Sequence, residues 1–240
     1  MRRIAFWITL LLLASLPTLV QAARLAIIID DLGYRAMPPA LSALPSEVSI
    51  SILPGTPFDA AISQLARKQQ RDILLHMPME PSRNVSLEHA TLTRSMTKET
   101  LQLTLQQALN RIPDIIAVNN HMGSALTQDP TAMGWVMDVL AHQGLSFLDS
   151  RTSAQSVAFE QAISHQVPVL RRDVFLDHFR SEAFVKQQLT LAAKHAKRHG
   201  YAIAIGHPYP VTLTTIKQQL PSLAAQGITL VRLSDLYPPS

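Results

Sequence analysis

Leu25-Ala26-Ile27-Ile28-Ile29-Asp30-Asp31-Leu32-Gly33 decides the fold class. Five successive apolar residues, flanked by charge, read as a short strand buried on both faces, which is the habit of a parallel sheet covered by helices. The run stops on two adjacent carboxylates. Side by side they repel, so a cation, a basic neighbour or a raised pKa on one of them has to compensate. An Asx-turn with Gly33 at positive φ needs only one Asp. The pair therefore points to a site at the end of the strand.

Outward from this segment, short apolar runs alternate with helical patterns. Further strands are expected at Val48–Leu53, Ile73–Leu75, Ile115–Val118, Leu145–Leu148, Val167–Leu170, Ala202–Ile205 and Ile228–Leu233. Helices are expected over Phe58–Gln70, after a Thr97 N-cap, from Asp129-Pro130 to His142, and over Ser181–His199 with Gly200 as its cap. Met77–Ser95, with Pro78, Pro81 and Asn84, reads as a loop. This alternation predicts an α/β fold, either a mostly parallel sheet or an irregular α/β barrel.

The N-terminus carries a different signal. Arg2 and Arg3 precede an apolar stretch, Ile4–Val20, and then the small-residue pattern Val20-Gln21-Ala22. That order is the signature of a secretory signal peptide, residues 1–22, leaving residues 23–240 as one domain. No later run is long enough to span a bilayer and no Cys is available for a lipid anchor, so no stable membrane anchor is expected after cleavage. Loss of Arg2 and Arg3 lowers the net charge from +4 to +2. The densest basic cluster, Lys194–His199, reads as a solvated helix end, which gives no footprint for nucleic acid. The absence of Cys excludes a thiolate metal site or a cysteine nucleophile, so any metal has to be held by His, Asp or Glu.

Chemistry collects where the strands stop. Asp30-Asp31, His76, His121, Asp149 and His207 each fall at or just beyond a strand end, and in parallel α/β folds those ends share one face. Glu80 follows His76 by four residues, a spacing that shares one helix face. Asn119 and Asn120 precede His121 and are suited to a sugar hydroxyl or a carbonyl, or to a turn with Gly123. Arg151, just after Asp149, is placed to neutralise a carboxylate, although the segment also reads as a helix N-cap. His207 reads equally as a buried structural histidine. Arg171-Arg172-Asp173 and Leu176-Asp177-His178 read as solvated or structural.

The segments Ile29–Gly33, Leu75–Pro81, Asn120–Ser124, Phe147–Ser150 and Ile205–Pro208 together resemble the divergent polysaccharide deacetylases, relatives of the metal-dependent carbohydrate esterases. The resemblance implies a distorted barrel of about seven mostly parallel strands with helices outside. It implies Asp30 as general base, Asp31 and His76 as ligands of a divalent ion, with zinc the first candidate, and His207 as the acid near the leaving group. Asp149 would orient a partner. Glu80 stands where the relatives carry a second ligand His, so either Glu80 ligates, or His121 reaches the ion instead, or the ion is lost. Asn119–Gly123 occupies the stretch of an Arg-Pro-Pro-Tyr-like segment that is missing here. The implied activity is removal of acyl groups, N-acetyl first, from a cell-envelope glycan in a Gram-negative periplasm. The alternative is a deacetylase-fold protein that binds a glycan or an envelope partner without turnover.

Overall fold

The structure, a computed structural model, describes residues 23–238; the signal-peptide assignment lies outside them. In chain order the elements are β1 (Ala23–Leu32), α1 (Pro39–Ser42), β2 (Ser49–Ile52), α2 (Asp59–Lys68), β3 (Ile73–Met79), α3 (Lys98–Arg111), β4 (Ala117–Met122) and α4 (Pro130–Gln143). There follow β5 (Ser146–Asp149), α5 (Ala158–Ser164), β6 (Val169–Arg171), β7 (Val174–Phe175), α6 (Glu182–His199), β8 (Tyr201–Gly206), α7 (Pro210–Ala225) and β9 (Ile228–Leu230). No helix among the described residues is long and apolar enough to cross a membrane.

The strands run in the order β6-β5-β4-β3-β2-β1-β8-β7, with β9 on β1, and every ladder is parallel. β6 and β7 stand at opposite ends of this order, yet only Arg172 and Asp173 separate them in the chain. The sheet is therefore curled until its edges nearly meet. The link is stitched to both sides, because Arg172 N donates to Asp149 O and Asp173 N donates to Ile203 O. This is the expected distorted barrel, with an incomplete seam between β6 and β7.

Period-two alternation divides the apolar residues into two layers. Ala26, Ile28, Leu74, Ala117, Leu148, Leu170, Ile203 and Ile205 fill the inside of the curl, together with Leu233. Leu25, Ile27, Ile29, Ile50, Ile52, Leu75, Val118 and Phe147 face outward, against Ile62 of α2, Leu105 of α3, Val136 of α4, Leu189 of α6 and Ile216 of α7. A fully buried Leu or Ile contributes about 1.5–3 kcal/mol, so β1, with both faces buried, is the mechanical centre of the domain.

The expected caps recur in the structure. Thr97, Asp129 and Ser181 accept backbone N–H groups at the starts of α3, α4 and α6, and Gly144 and Gly200 end α4 and α6 at positive φ. Two expectations change. β3 does not stop at Leu75 but runs to Met79, because Pro78, which has no N–H to lose, still accepts from Leu92 N through its carbonyl. The loop therefore begins later than the prolines suggest. α5 and α7 go beyond the helices that the sequence pattern predicts; α7 opens on β-branched residues and contains Pro221, and packing overrides this poor propensity.

Candidate metal centre

The inward alternation of each strand, continued past its last apolar residue, builds the site. Ala26 and Ile28 lead to Asp30; Leu74 leads to His76; Ala117 leads to Asn119 and His121; Leu148 leads to Ser150; Ile203 and Ile205 lead to His207. Asp31 breaks the rule. The β1–β2 register shifts between Ile29 and Leu32, and Asp31 sits at φ 59. This kink sends the neighbouring carboxylates apart. Asp30 is buried at 3 % exposure, whereas the Asp31 side chain, 34 % exposed, enters the mouth of the barrel. Gly33 permits the turn: its φ is 135, and a Cβ there would sit 2.0 Å from Thr56 Oγ1.

At the mouth, Asp31 Oδ1 lies 2.9 Å from His121 Nδ1 and 3.0 Å from His76 Nε2, and those two nitrogens are 3.1 Å apart. Asn119 sets the proton positions. Its amide nitrogen lies 3.1 Å from both oxygens of Asp30 and must donate, because a carboxylate only accepts. Its oxygen therefore faces His76 Nδ1 at 2.9 Å and accepts from it, as it does from the Ser51 hydroxyl. His76 is thus protonated on Nδ1 and presents Nε2 to Asp31. Burial opposes the charge on His76, but Asp30, Asp31 and Asn119 outweigh it and push its pKa up to about 9. Burial likewise opposes ionisation of Asp31, and the hydrogen bonds of His121 and His76 overcome it, holding the carboxyl far below the usual range.

His207 stands across from this cluster. Its Nδ1 donates to Asp177 Oδ1 at 2.8 Å, and Nε2 points to Asp31 Oδ2 at 3.6 Å. Asp177 is buried and also accepts from His207 N and the Thr212 hydroxyl. Burial opposes the imidazolium, but the hydrogen bond to Asp177 and the Asp31 charge raise the His207 pKa. A cavity of about 740 Å³ opens over Asp30, Asp31, His76, His121 and His207, a size suited to a ligand.

Several candidate residues are placed elsewhere. Glu80 is excluded from the cluster: in a strand, four residues span about 13 Å, and its carboxylate binds Arg94 Nη2 at 2.9 Å and Arg94 N at 2.7 Å. The helix-face argument fails because the segment is extended. Asp149 follows outward-facing Phe147, and its oxygens hold Arg151 N and the Ser156 hydroxyl, so it shapes the β5–α5 loop. Asn119 is wholly buried beneath Asp30 and positions the site's side chains, in place of touching a substrate. Asn120 is also buried but stays in the cavity wall, where it accepts from Ser150 N and donates to Met122 O. Arg151 does line the cavity. Asp177, Ser51, Ser150 and Arg172 also belong to the site: the sequence marks Ser150 only within a polar strand end, reads the Arg172 and Asp177 segments as solvated or structural, and gives no signal for Ser51. β7 is two residues long, too short to flag the Asp177 that follows it.

Two imidazoles and a carboxylate form the only group of three or more potential metal ligands found among the described residues. Its donor separations approach the roughly 3.3 Å edge of a tetrahedron with bonds of about 2.0–2.1 Å. The donor set fits a divalent transition ion held by Asp31, His76 and His121.

Fold and site together define a polysaccharide-deacetylase-like α/β protein. The sequence profile of the divergent polysaccharide deacetylases matches residues 27–237, and the chain belongs to that family. An uncharacterised Haemophilus influenzae protein is 41% identical over 216 residues, covering 90% of this chain and 77% of its own. The crystal structure of an uncharacterised Agrobacterium tumefaciens protein superposes with a TM-score of 0.87 at 26% identity, over 90% of this chain and 89% of that one. The catalytic domain of a peptidoglycan N-acetylglucosamine deacetylase from Eubacterium rectale shares the fold, with a TM-score of 0.58 at 13% identity over 91% of each chain.

Proposed function

We propose that the protein is a hydrolase that removes an acyl group, N-acetyl first, from a cell-envelope glycan in the periplasm. The observation that carries this reading is the meeting, in one cavity, of the Asp31–His76–His121 donor set with a buried carboxylate and a carboxylate-backed histidine. A divalent ion there, zinc first, would polarise the acyl carbonyl and lower the pKa of the attacking water. Asp30, held by the Asn119 amide and 3.8 Å from His76 Nε2, takes the proton from that water. His207 carries its proton on the Nε2 facing the cavity and passes it to the leaving amine, with Asp177 stabilising the imidazolium. Asn119 orients Asp30 and His76 together.

The test is ion content and acetate release for residues 23–240, prepared without a polyhistidine tag. One zinc or similar ion per chain is expected, lost in Asp31→Ala and His121→Ala. Asp30→Asn should keep the ion while acetate release from N-acetylated oligosaccharides falls about 100-fold or more. A chain that takes up no ion after reconstitution sinks the hydrolase reading. One observation favours the second reading, a glycan-binding protein without turnover: the Asp31–His76–His121 separations of 2.9, 3.0 and 3.1 Å are also hydrogen-bond distances, so protons alone can close the cluster.

A further inference from the structure

We propose that the wall of the cavity formed by Arg151 and Arg172 is a subsite for an anionic group, a carboxylate or a phosphate, carried by the glycan. The glycan rests on the reading above; the anion does not. Leu170 faces the inside of the barrel, and the same alternation turns Arg172 into its mouth. There the guanidinium is fixed on three sides. Nε donates to Ser150 O at 2.7 Å, Nη2 donates to Arg151 O at 3.0 Å, and the group lies 5.1 Å from the centre of the Phe175 ring. Its Nη1 has no protein partner among the described residues.

Arg151 lines the same cavity from a left-handed backbone at φ 50. That conformation costs about 1 kcal/mol or more in a non-glycine residue. It is held because Asp149 takes the Arg151 N–H and Arg172 takes its carbonyl. The strain serves to aim a side chain. Among the described residues, neither guanidinium has a carboxylate within 4.0 Å. The neighbouring acids are engaged: Asp173 with His195 at 3.2 Å and Ile203 N at 2.8 Å, Asp149 with its own loop, and Asp30 with the Asn119 amide at 3.1 Å. A half-buried, immobilised guanidinium without an acid is costly unless a ligand supplies one. The planar fork of Arg matches a carboxylate or phosphate edge. Phe184 and Leu191 line the cavity beside it and offer an apolar face to a sugar ring.

The experiment is calorimetric titration of residues 23–240 with chitotetraose, which is neutral, a hyaluronan tetrasaccharide, which carries carboxylates, and N-acetylglucosamine 6-phosphate set against N-acetylglucosamine. At low salt the protein should prefer one charged probe over its neutral counterpart by about tenfold or more, and salt should erode the preference. Which probe gains distinguishes carboxylate from phosphate. Arg151→Gln, whose side chain has no protein partner among the described residues, should bring that ratio close to one. Arg172→Lys, which keeps the charge and loses the fork, should lower it. Equal binding of charged and neutral probes, binding of neither, or an unchanged ratio in Arg151→Gln overturns the subsite. EDTA-treated protein should retain the charge preference. A preference that persists where no ion binds and no acetate is released would leave the subsite standing and remove the hydrolase reading.

Discussion

One amide, Asn119, fixes the chemistry of its neighbours. It cannot rotate its oxygen toward Asp30 without setting two acceptors against each other, so the His76 tautomer follows from the Asp30 charge. Asn119→Leu should therefore do two separable things. It leaves buried polar atoms of Asp30, His76 and Ser51 without partners, which costs about 1–3 kcal/mol in urea unfolding. It also frees the His76 ring, and ion affinity should fall about 10–100-fold in a competitive chelator titration. A variant that loses stability yet binds the ion as tightly as before would show that Asn119 does not orient His76. Asp30, Asp31, His76, His121 and His207 are legible in the sequence because each ends or follows an apolar run. Asn119 is legible as a polar residue of the site but not in its role. An amide after a strand suggests contact with a sugar hydroxyl, and only its burial beneath Asp30 shows that it holds other side chains. Glu80 misleads because a four-residue spacing shares a face on a helix, whereas the chain here is extended.

At the scale of elements, strands are easier to read than helices. An apolar run such as Ile27–Ile29 has one use in an α/β fold, whereas Val211–Ile216 in α7 carries the β-branched composition of a strand and forms a helix only because Leu213, Ile216 and Leu223 find the core. Connections are harder still, since their polar residues announce neither partner nor shape. Arg71 illustrates this. Its guanidinium donates to the carbonyls of Leu41, Ser42, Leu44, Pro45 and Val48, tying the end of α1 and the approach to β2 to the start of β3. Burial lowers its pKa, but the five carbonyls satisfy Nη1 and Nη2, and the Gln69 side-chain oxygen accepts from Nε. Arg71→Met keeps the stem and strands those buried acceptors, so a loss of about 2–4 kcal/mol is expected in urea unfolding. Arg71→Lys, a single point donor, should recover only part of it. Full recovery by Lys would mean that charge, and not the fork, holds the connection.

Across the whole molecule, the barrel mouth makes stability and ion binding two readings of one equilibrium. Without a metal, the His76 pKa is pushed up to about 9, above its unfolded value of about 6.5. That group stabilises the fold fully below about pH 6.5, and its contribution is lost as pH rises through about 9. Asp31 runs the other way: its folded pKa is depressed, so its contribution is present above about pH 4 and is lost as pH falls below that. The metal-free protein should therefore gain most from this cluster between about pH 4 and 6.5. A divalent ion needs the His76 Nε2 lone pair and must displace its proton, so proton competition weakens across the interval in which the metal-free protein is losing stability. Both follow from the same proton on His76, so the loss of metal-free stability and the gain in ion binding are one effect. The gap in thermal midpoint between zinc-loaded and EDTA-treated protein, followed by circular dichroism, should widen steadily from about pH 6.5 to 9, and His76→Gln should flatten it. A gap independent of pH over that range would mean that ion binding displaces no proton from His76, and the Asp31–His76–His121 assignment would have to be abandoned.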